Sequence, residues 1–377
     1  MGHLRVKGGG APQVTDADLH ARSWHAPCGS PKKCSRLPHI GAPTGRRDLG
    51  GAPLAGAHDS GLRERVRWEE TMTVVRFVVA LISLVLTLRA SAWDDFGHMT
   101  VAAVAWEQLS PELQQRATAL LKLNPNYQAW IANVPPENAD EVAFVRAATW
   151  PDAIKRDATY KNDGEQPSGP DAGKNVGYGD LLQHRYWHFV DQPFSPDGTP
   201  VHAASTPNAE TQIVAFRQTL ASPNAPDELK SYDLVWLLHL VGDVHQPLHA
   251  TSRFDHQQPN GDRGGNSVAL CKRPCKDELH GFWDDVLGKS EKPADAIAAA
   301  RRIASADPGL AGILDESTWI QESFHLARTA VYVKPIGIGP GPFTLDQRYR
   351  SAAQAVAEKR VALAGARLAG ILKAALH

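Results

Sequence analysis

Residues 93–377 of this 377-residue chain read as one mainly α domain. Three observations predict it. Apolar residues recur at helical spacing in six stretches, Pro and Gly gather between those stretches, and no run alternates apolar with polar residues for long enough to predict a substantial sheet. No Gly- or Ser-rich linker divides the segment, and its length suffices for a single large core.

The first stretch is 100–123. Within it Ser110-Pro111-Glu112 has the form of an N-cap followed by proline at the first helical position, so the stretch is read as two helices. Helical spacing returns at 209–220, 234–240, 294–303, 317–332 and 345–372. Two polar, Gly-rich loops, 161–180 and 254–266, lie close in sequence to the candidate ligands named below, where loops commonly shape a site.

Upstream, composition changes around Met72. Residues 1–71 carry Gly8-Gly9-Gly10, Pro31-Lys32-Lys33 and Gly50-Gly51 without any apolar period, and are read as disordered or untranslated. Arg76, the apolar run 77–88 and Ala90-Ser91-Ala92 then form the three regions of a signal peptide over 72–92, whose cleavage would expose Trp93. The apolar run is short of the roughly 20 residues that span a bilayer. The expected product is secreted or periplasmic, with no membrane attachment after cleavage.

Residues 1–92 hold 13 Lys or Arg against 7 Asp or Glu, so the whole-chain net of −1 leaves −7 on residues 93–377. That excludes nonspecific capture of nucleic acid by a broadly basic surface, and any chemistry on a polyanion is expected to draw its positive charge from bound metal. Cys28 and Cys34 fall in the discarded segment. Cys271 and Cys275, four apart, are read as a small-loop disulfide, with half of a zinc site as the rival reading.

The sharpest local pattern is His239-Leu-Val-Gly-Asp243-Val-His245-Gln-Pro-Leu-His249. On a helix His239 and Asp243 project from one face and can meet one ion. Pro247 ends or kinks that helix, so His249 is aimed differently and is free to serve a second ion. His280-Gly-Phe-Trp-Asp284 repeats the spacing, and Trp150-Pro151-Asp152, Trp187-His188-Phe-Val-Asp191 and His98 add further ionisable groups. Neutral nitrogen and carboxylate oxygen without a thiolate cluster suit zinc, although manganese or iron would also bind such groups. A lone His on an apolar helix is usually an ordinary hydrogen-bonded side chain; two i,i+4 His/Asp pairs with supporting motifs point instead to a metal cluster. His202, His256 and His325 keep the ordinary reading. His184, one turn before His188, competes with it as a ligand, and His245 is placed to orient a ligand or pack the turn.

Together with Gly97-His98, Ala148-Thr149-Trp150, Gly264-Gly265-Asn266, Leu279-His280, Trp283-Asp284 and Ala364-Gly365-x-Arg367-Leu368, these motifs resemble the S1/P1 nucleases, secreted zinc-dependent enzymes that cut single-stranded nucleic acid and remove 3′-phosphate. The resemblance spans nearly all of 93–377. It implies a multi-helix zinc phosphodiesterase fold, shared with zinc-dependent phospholipase C, and three zinc ions. One would be held by Asp152, His188, His239 and Asp243, and a second by His249, His280 and Asp284. The third would use the α-amine and carbonyl of Trp93, with His98 and the shared Asp243. Hydrolysis by a metal-activated hydroxide would follow, with Asp152 and Asp243 at the reacting centre and Asp191 as a candidate general base. The implied substrates are single-stranded DNA and RNA and 3′-nucleotides, with no stable protein partner.

Two departures stand out. Fungal members carry a second Asp where this chain has Pro193, and usually Asn where it has Asp285. Two other functions remain open. A zinc-dependent phospholipase C would place its first His farther from the terminal Trp and end its ligand set on Glu, and a noncatalytic zinc-binding protein would saturate its metals with protein ligands.

Overall fold

The structure, a computed structural model, describes residues 93–376. The upstream segment and the signal peptide read at 1–71 and 72–92 lie outside the described residues.

Helix α1 (Asp95–Trp106) starts five residues before the apolar period does, because the Asp94 side chain caps it by accepting from Gly97 N. The break expected at Ser110 is present: the Ser110 hydroxyl accepts from Leu113 N and opens α2 (Pro111–Leu121). Three pieces then appear that periodicity did not anticipate, α3 (Tyr127–Trp130), α4 (Ala139–Ala147) and α5 (Trp150–Ala153), all too short to complete an 11-residue pattern. A reciprocal cap between Asn208 and Thr211 begins α6 (Ala209–Ala221).

Helix α7 (Asp227–Asp243) is longer than the expected 234–240 for an informative reason. Every residue from Ser231 to Asp243 is buried, so the helix has no solvent face and its apolar residues show no stripe. It forms the axis of the domain. Helix α8 (Leu279–Asp284), capped by Glu278, carries one of the two i,i+4 His/Asp pairs. Helices α9 (Pro293–Ala300), α10 (Pro308–Ala311) and α11 (Glu316–Leu326) follow, and α11 ends in a π turn over Ala327–Val331. Helix α12 (Gln347–Ala375), capped by Asp346, packs along α1, α6 and α7. Its approach to α1 is close at Gly365, where a Cβ would stand 2.5 Å from the Val104 Cβ.

The only ladder among the described residues joins β1 (Pro193–Phe194) to β2 (Ser252–Arg253) in parallel, with Pro193 opposite Ser252. Small as it is, it ties the chain just after His188 to the chain just after His249, helped by Val190 N donating to His249 O at 2.7 Å. Behind this junction Trp150 and Trp187 meet Trp236 edge to face, with ring centroids 6.2 and 5.1 Å from it. Each such pair contributes about 0.5–1.5 kcal/mol beyond burial. One aromatic core therefore carries the three segments that hold Asp152, His188 and His239. Cys271 and Cys275 form a disulfide, which removes the thiolate reading.

Candidate metal centre

Helix α7 presents His239 and Asp243 from its last turn, and the other groups arrive around them. Asp152 comes from α5, His188 from a tight turn at Arg185–His188, His98 from α1, His249 from the turn Pro247–Ala250, and His280 and Asp284 from α8. All eight are buried. Their atoms fall into three groups: Asp152, His188 and His239; His98, His239 and Asp243; His249, His280 and Asp284.

Asp243 links the groups. Its Oδ2 lies 3.1 Å from His188 Nδ1 and 3.2 Å from His239 Nε2, while Oδ1 lies 3.3 Å from His98 Nε2 and 3.8 Å from His249 Nδ1. Asp152 Oδ1 stands 3.8 Å from both His188 Nδ1 and His239 Nε2. Trp93 is buried against the same turn, its indole N–H donating to Gly242 O at 2.9 Å. Asp94 N donates to Asp284 O at 3.3 Å, which sets the start of the described chain beside the His249 group.

Backbone carbonyls fix which histidine nitrogen faces inward. His239 Nδ1 donates to Ala148 O, His249 Nδ1 to His188 O and His280 Nδ1 to Gly264 O, each at 2.7 Å. A neutral imidazole with its proton on Nδ1 offers a lone pair at Nε2. Burial first, then the neighbouring His249, brings His280 down to about 3. Burial brings His98 down to about 4 and His188 to about 3. These rings are neutral ligands at neutral pH. For His239 burial acts downward, but Asp243 and Asp152 outweigh it.

The residues fit a set of cations. His249 Nε2 and His280 Nε2 are 3.1 Å apart with lone pairs converging, close to the separation of about 3.4 Å between two nitrogens on one tetrahedral zinc. Two converging lone pairs repel unless a cation lies between them. Burial pushes Asp284 well above the carboxylate range, opposed chiefly by Gln246, so it too needs a cation to ionise near neutral pH. His98 Nδ1 and Nε2, His188 Nε2 and Asp243 Oδ1 are buried without hydrogen-bond partners.

A cleft opens over this centre. His188, His249 and His280 line it, with Lys155, Arg185 and Arg263 as cations, Glu165 and Asp191 as carboxylates, and Phe189 and Leu248 as apolar wall. A model of the S1/P1 nuclease family matches residues 93–377. The chain belongs to the S1/P1 nuclease family. It is 24% identical to nuclease S1 of Aspergillus oryzae over 60% of this chain and 65% of that one, and 26% identical to nuclease P1 of Penicillium citrinum over 52% and 58%. Endonuclease 3 of Arabidopsis thaliana is 25% identical over 81% of this chain and 95% of its own. The matched part thus spans less than two thirds of the two fungal relatives.

Within this family frame the residues expected from sequence are brought together: all eight His and Asp candidates meet at one centre, with Trp93 packed beside them. Asp191 stands apart in the cleft wall. Burial, then Asp262, raises its carboxyl to about 7 against the opposing Arg263. His184 does not compete with His188. It sits between Asp180 and Asp163, stacked on Trp187 at 3.5 Å. His245 packs the turn, donating from Nδ1 to Val241 O and accepting at Nε2 from Arg367.

Sequence reasoning missed several groups. Lys155 Nζ donates to Asp152 Oδ1 at 2.6 Å, a pair visible as i,i+3 spacing. Gln246 Nε2 donates to Asp284 Oδ1 at 2.7 Å from inside the quoted motif. Arg185 and Arg263 come from loops with no local signal, and they correct the expectation that metal alone supplies positive charge: the net −7 conceals a local cluster of cations. Of the two departures, Pro193 is taken up in β1, and Asp285 pairs with Lys289 outside the cleft.

Proposed function

We propose that residues 93–377 are an exported zinc-dependent nuclease that hydrolyses phosphodiester bonds of single-stranded DNA and RNA and removes 3′-phosphate from nucleotides. One observation carries the reading: a single buried carboxylate, Asp243, stands within 3.3 Å of His98, His188 and His239 beside a second His/Asp group, beneath a cleft lined by cations. Three ions are assigned, one to Asp152, His188, His239 and Asp243, one to His249, His280 and Asp284, and one to His98, Asp243 and the main-chain groups of Trp93.

When bound, zinc lowers the pKa of coordinated water toward about 7 and neutralises charge developing on phosphate. The chain does the rest. Carbonyls at Ala148, His188 and Gly264 each accept from an Nδ1, which holds three imidazoles with Nε2 aimed inward. Lys155 and Arg185 draw the phosphate into the cleft, and Phe189 offers a face on which an unpaired base can stack. That requirement for an unpaired base favours single strands. Asp191, with its carboxyl near 7, can take or give a proton at neutral pH.

Export is part of the proposal. The Trp93 amine exists only once the chain is cut before it, so removal of a signal peptide over 72–92 would complete the third metal site. A disulfide at Cys271–Cys275 suits an oxidising compartment, and no described helix is long and apolar enough to cross a membrane.

The test is protein beginning at Trp93, its zinc counted by elemental analysis, assayed on single-stranded DNA, RNA, 3′-nucleotides and lecithin. Hydrolysis of the nucleic acids is expected. Zinc-loaded protein acting on none of the four would reduce it to a metal-binding protein, and action on lecithin alone would make it a phospholipase.

A further inference from the structure

Of the three cations lining the cleft, two are already engaged. Lys155 donates to Asp152 at 2.6 Å, and Arg185 donates from Nε to Gln183 Oε1 at 2.9 Å and from Nη1 to Glu165 Oε1 at 3.3 Å. Arg263 differs. Its side chain is exposed, and among the described residues its guanidinium makes no hydrogen bond or ion pair.

Its backbone is also unusual. Arg263 has φ +56°, in a run with Gly264 at +59° and Gly265 at +85°. Glycine adopts such angles freely, whereas a residue with a Cβ is strained there. The conformation is imposed from both sides. Buried Asp262 accepts from Arg253 N at 2.9 Å and from the Tyr332 hydroxyl at 2.7 Å, while Gly264 O accepts from His280 Nδ1 at 2.7 Å. Gly264 sits so near the chain that a Cβ would stand 2.5 Å from Leu248 O. The loop that orients His280 therefore also fixes the place of Arg263. Backbone strain of this kind collects at ligand-binding positions, and the side chain it projects acts within the described residues only through its charge, on the Asp191 carboxyl.

We infer that Arg263 is a positioning residue that binds a backbone phosphate neighbouring the one being hydrolysed, so that the cleft selects polynucleotide chains over mononucleotides. The inference rests on the nucleic-acid reading of the site. The planar guanidinium matches a phosphate through two parallel N–H donors. Its exposure sets it outside the buried centre, where the next phosphate of a bound strand passes and where a mononucleotide has none.

The experiment compares wild type with Arg263→Ala, Arg263→Lys and Arg263→Gly on an oligothymidylate and on thymidine 3′-monophosphate. Arg263→Ala is expected to raise KM for the oligomer about tenfold with kcat within about twofold, the loss of one charge-assisted contact, and to leave KM for the mononucleotide within about twofold. The slope of log KM against log salt should fall by about 0.7, one phosphate contact on a single strand. Arg263→Lys should keep the salt slope and recover only part of KM. Arg263→Gly should match the alanine variant in KM while its thermal midpoint equals or exceeds that of wild type, which separates the effect from unfolding. Equal losses on both substrates, an unchanged oligomer KM, or an unchanged salt slope would each overturn the inference. Binding of a fluorescent oligothymidylate is measured alongside. If wild type binds it without cutting, the hydrolytic reading falls while weaker binding by Arg263→Ala still supports Arg263; if wild type cuts the mononucleotide but does not bind the oligomer, Arg263 falls alone.

Discussion

His249 and His280 show at the scale of single residues how a candidate metal centre is written into side-chain chemistry. Each gives its Nδ1 proton to a carbonyl, and the two Nε2 atoms converge at 3.1 Å. His280→Ala is expected to remove about one zinc per chain, and elemental analysis showing full zinc would take His280 out of the site. Asp243→Ala should strip more than one ion, because its two oxygens face different groups of histidines; a loss of one ion or none would refute a bridging role. Away from the centre, burial acts downward on the pKa of His184, but Asp163 and Asp180 outweigh it and leave it raised. A raised His stabilises fully below its unfolded value, about 6.5, and loses that contribution as pH rises through its folded value. His184→Asn should therefore cost more thermal stability at about pH 5.5 than at about pH 9, and equal losses at the two would show that charge plays no part.

Among the elements, α7 and α12 decide how rigidly the centre is held. The turn after α7 is clipped to α11 and α12: Arg360 Nε donates to His245 O at 3.1 Å, Arg367 donates to His245 Nε2 at 2.9 Å, and both guanidinium groups pair with Glu322. Between these two arginines on α12, Gly365→Ala would press a methyl group against Val104 on α1. Overpacking of this kind costs about 1–3 kcal/mol. Denaturant midpoints should register that loss, and adding Val104→Ala should recover part of it; full additivity of the two changes would show that the helices do not touch there. Elements were legible in proportion to their solvent exposure and length. Helices α6, α9 and α12 alternate buried and exposed faces and begin and end close to where spacing placed them. Helix α7 was read at less than half its length because burial on all sides erases the stripe, and α3 and α5 are single turns held by their neighbours.

For the molecule as a whole, a metal bound at this centre would couple to the fold. The buried groups of the centre come from α1, α5, α7, α8 and two tight turns, so a ligand that joins them closes the domain on itself. Chelation is expected to lower the thermal midpoint by on the order of 5–10 °C per site emptied, measured by calorimetry with and without chelator; an identical melt would argue against a folded-state cluster. Charge distribution belongs to this scale as well. A chain that is negative over residues 93–377 still lines its cleft with Lys155, Arg185 and Arg263, which places attraction for a polyanion beside the candidate metal groups.

The sequence by itself determined the mainly α class, the break at Ser110, the disulfide pair and the eight His and Asp side chains of the centre. Each of these depends on residue type and local spacing: a cap needs one side chain, and a His/Asp pair four apart shares a helix face whatever surrounds it. Only the tertiary structure decided how these groups assemble around Asp243, that His184 belongs to Asp163 and Asp180 instead of the centre, and that the loop carrying Arg263 passes beside His280. Those outcomes turn on which segments a buried α7 and a two-residue ladder draw together across 50 to 150 positions of chain, a distance over which no periodic pattern carries information.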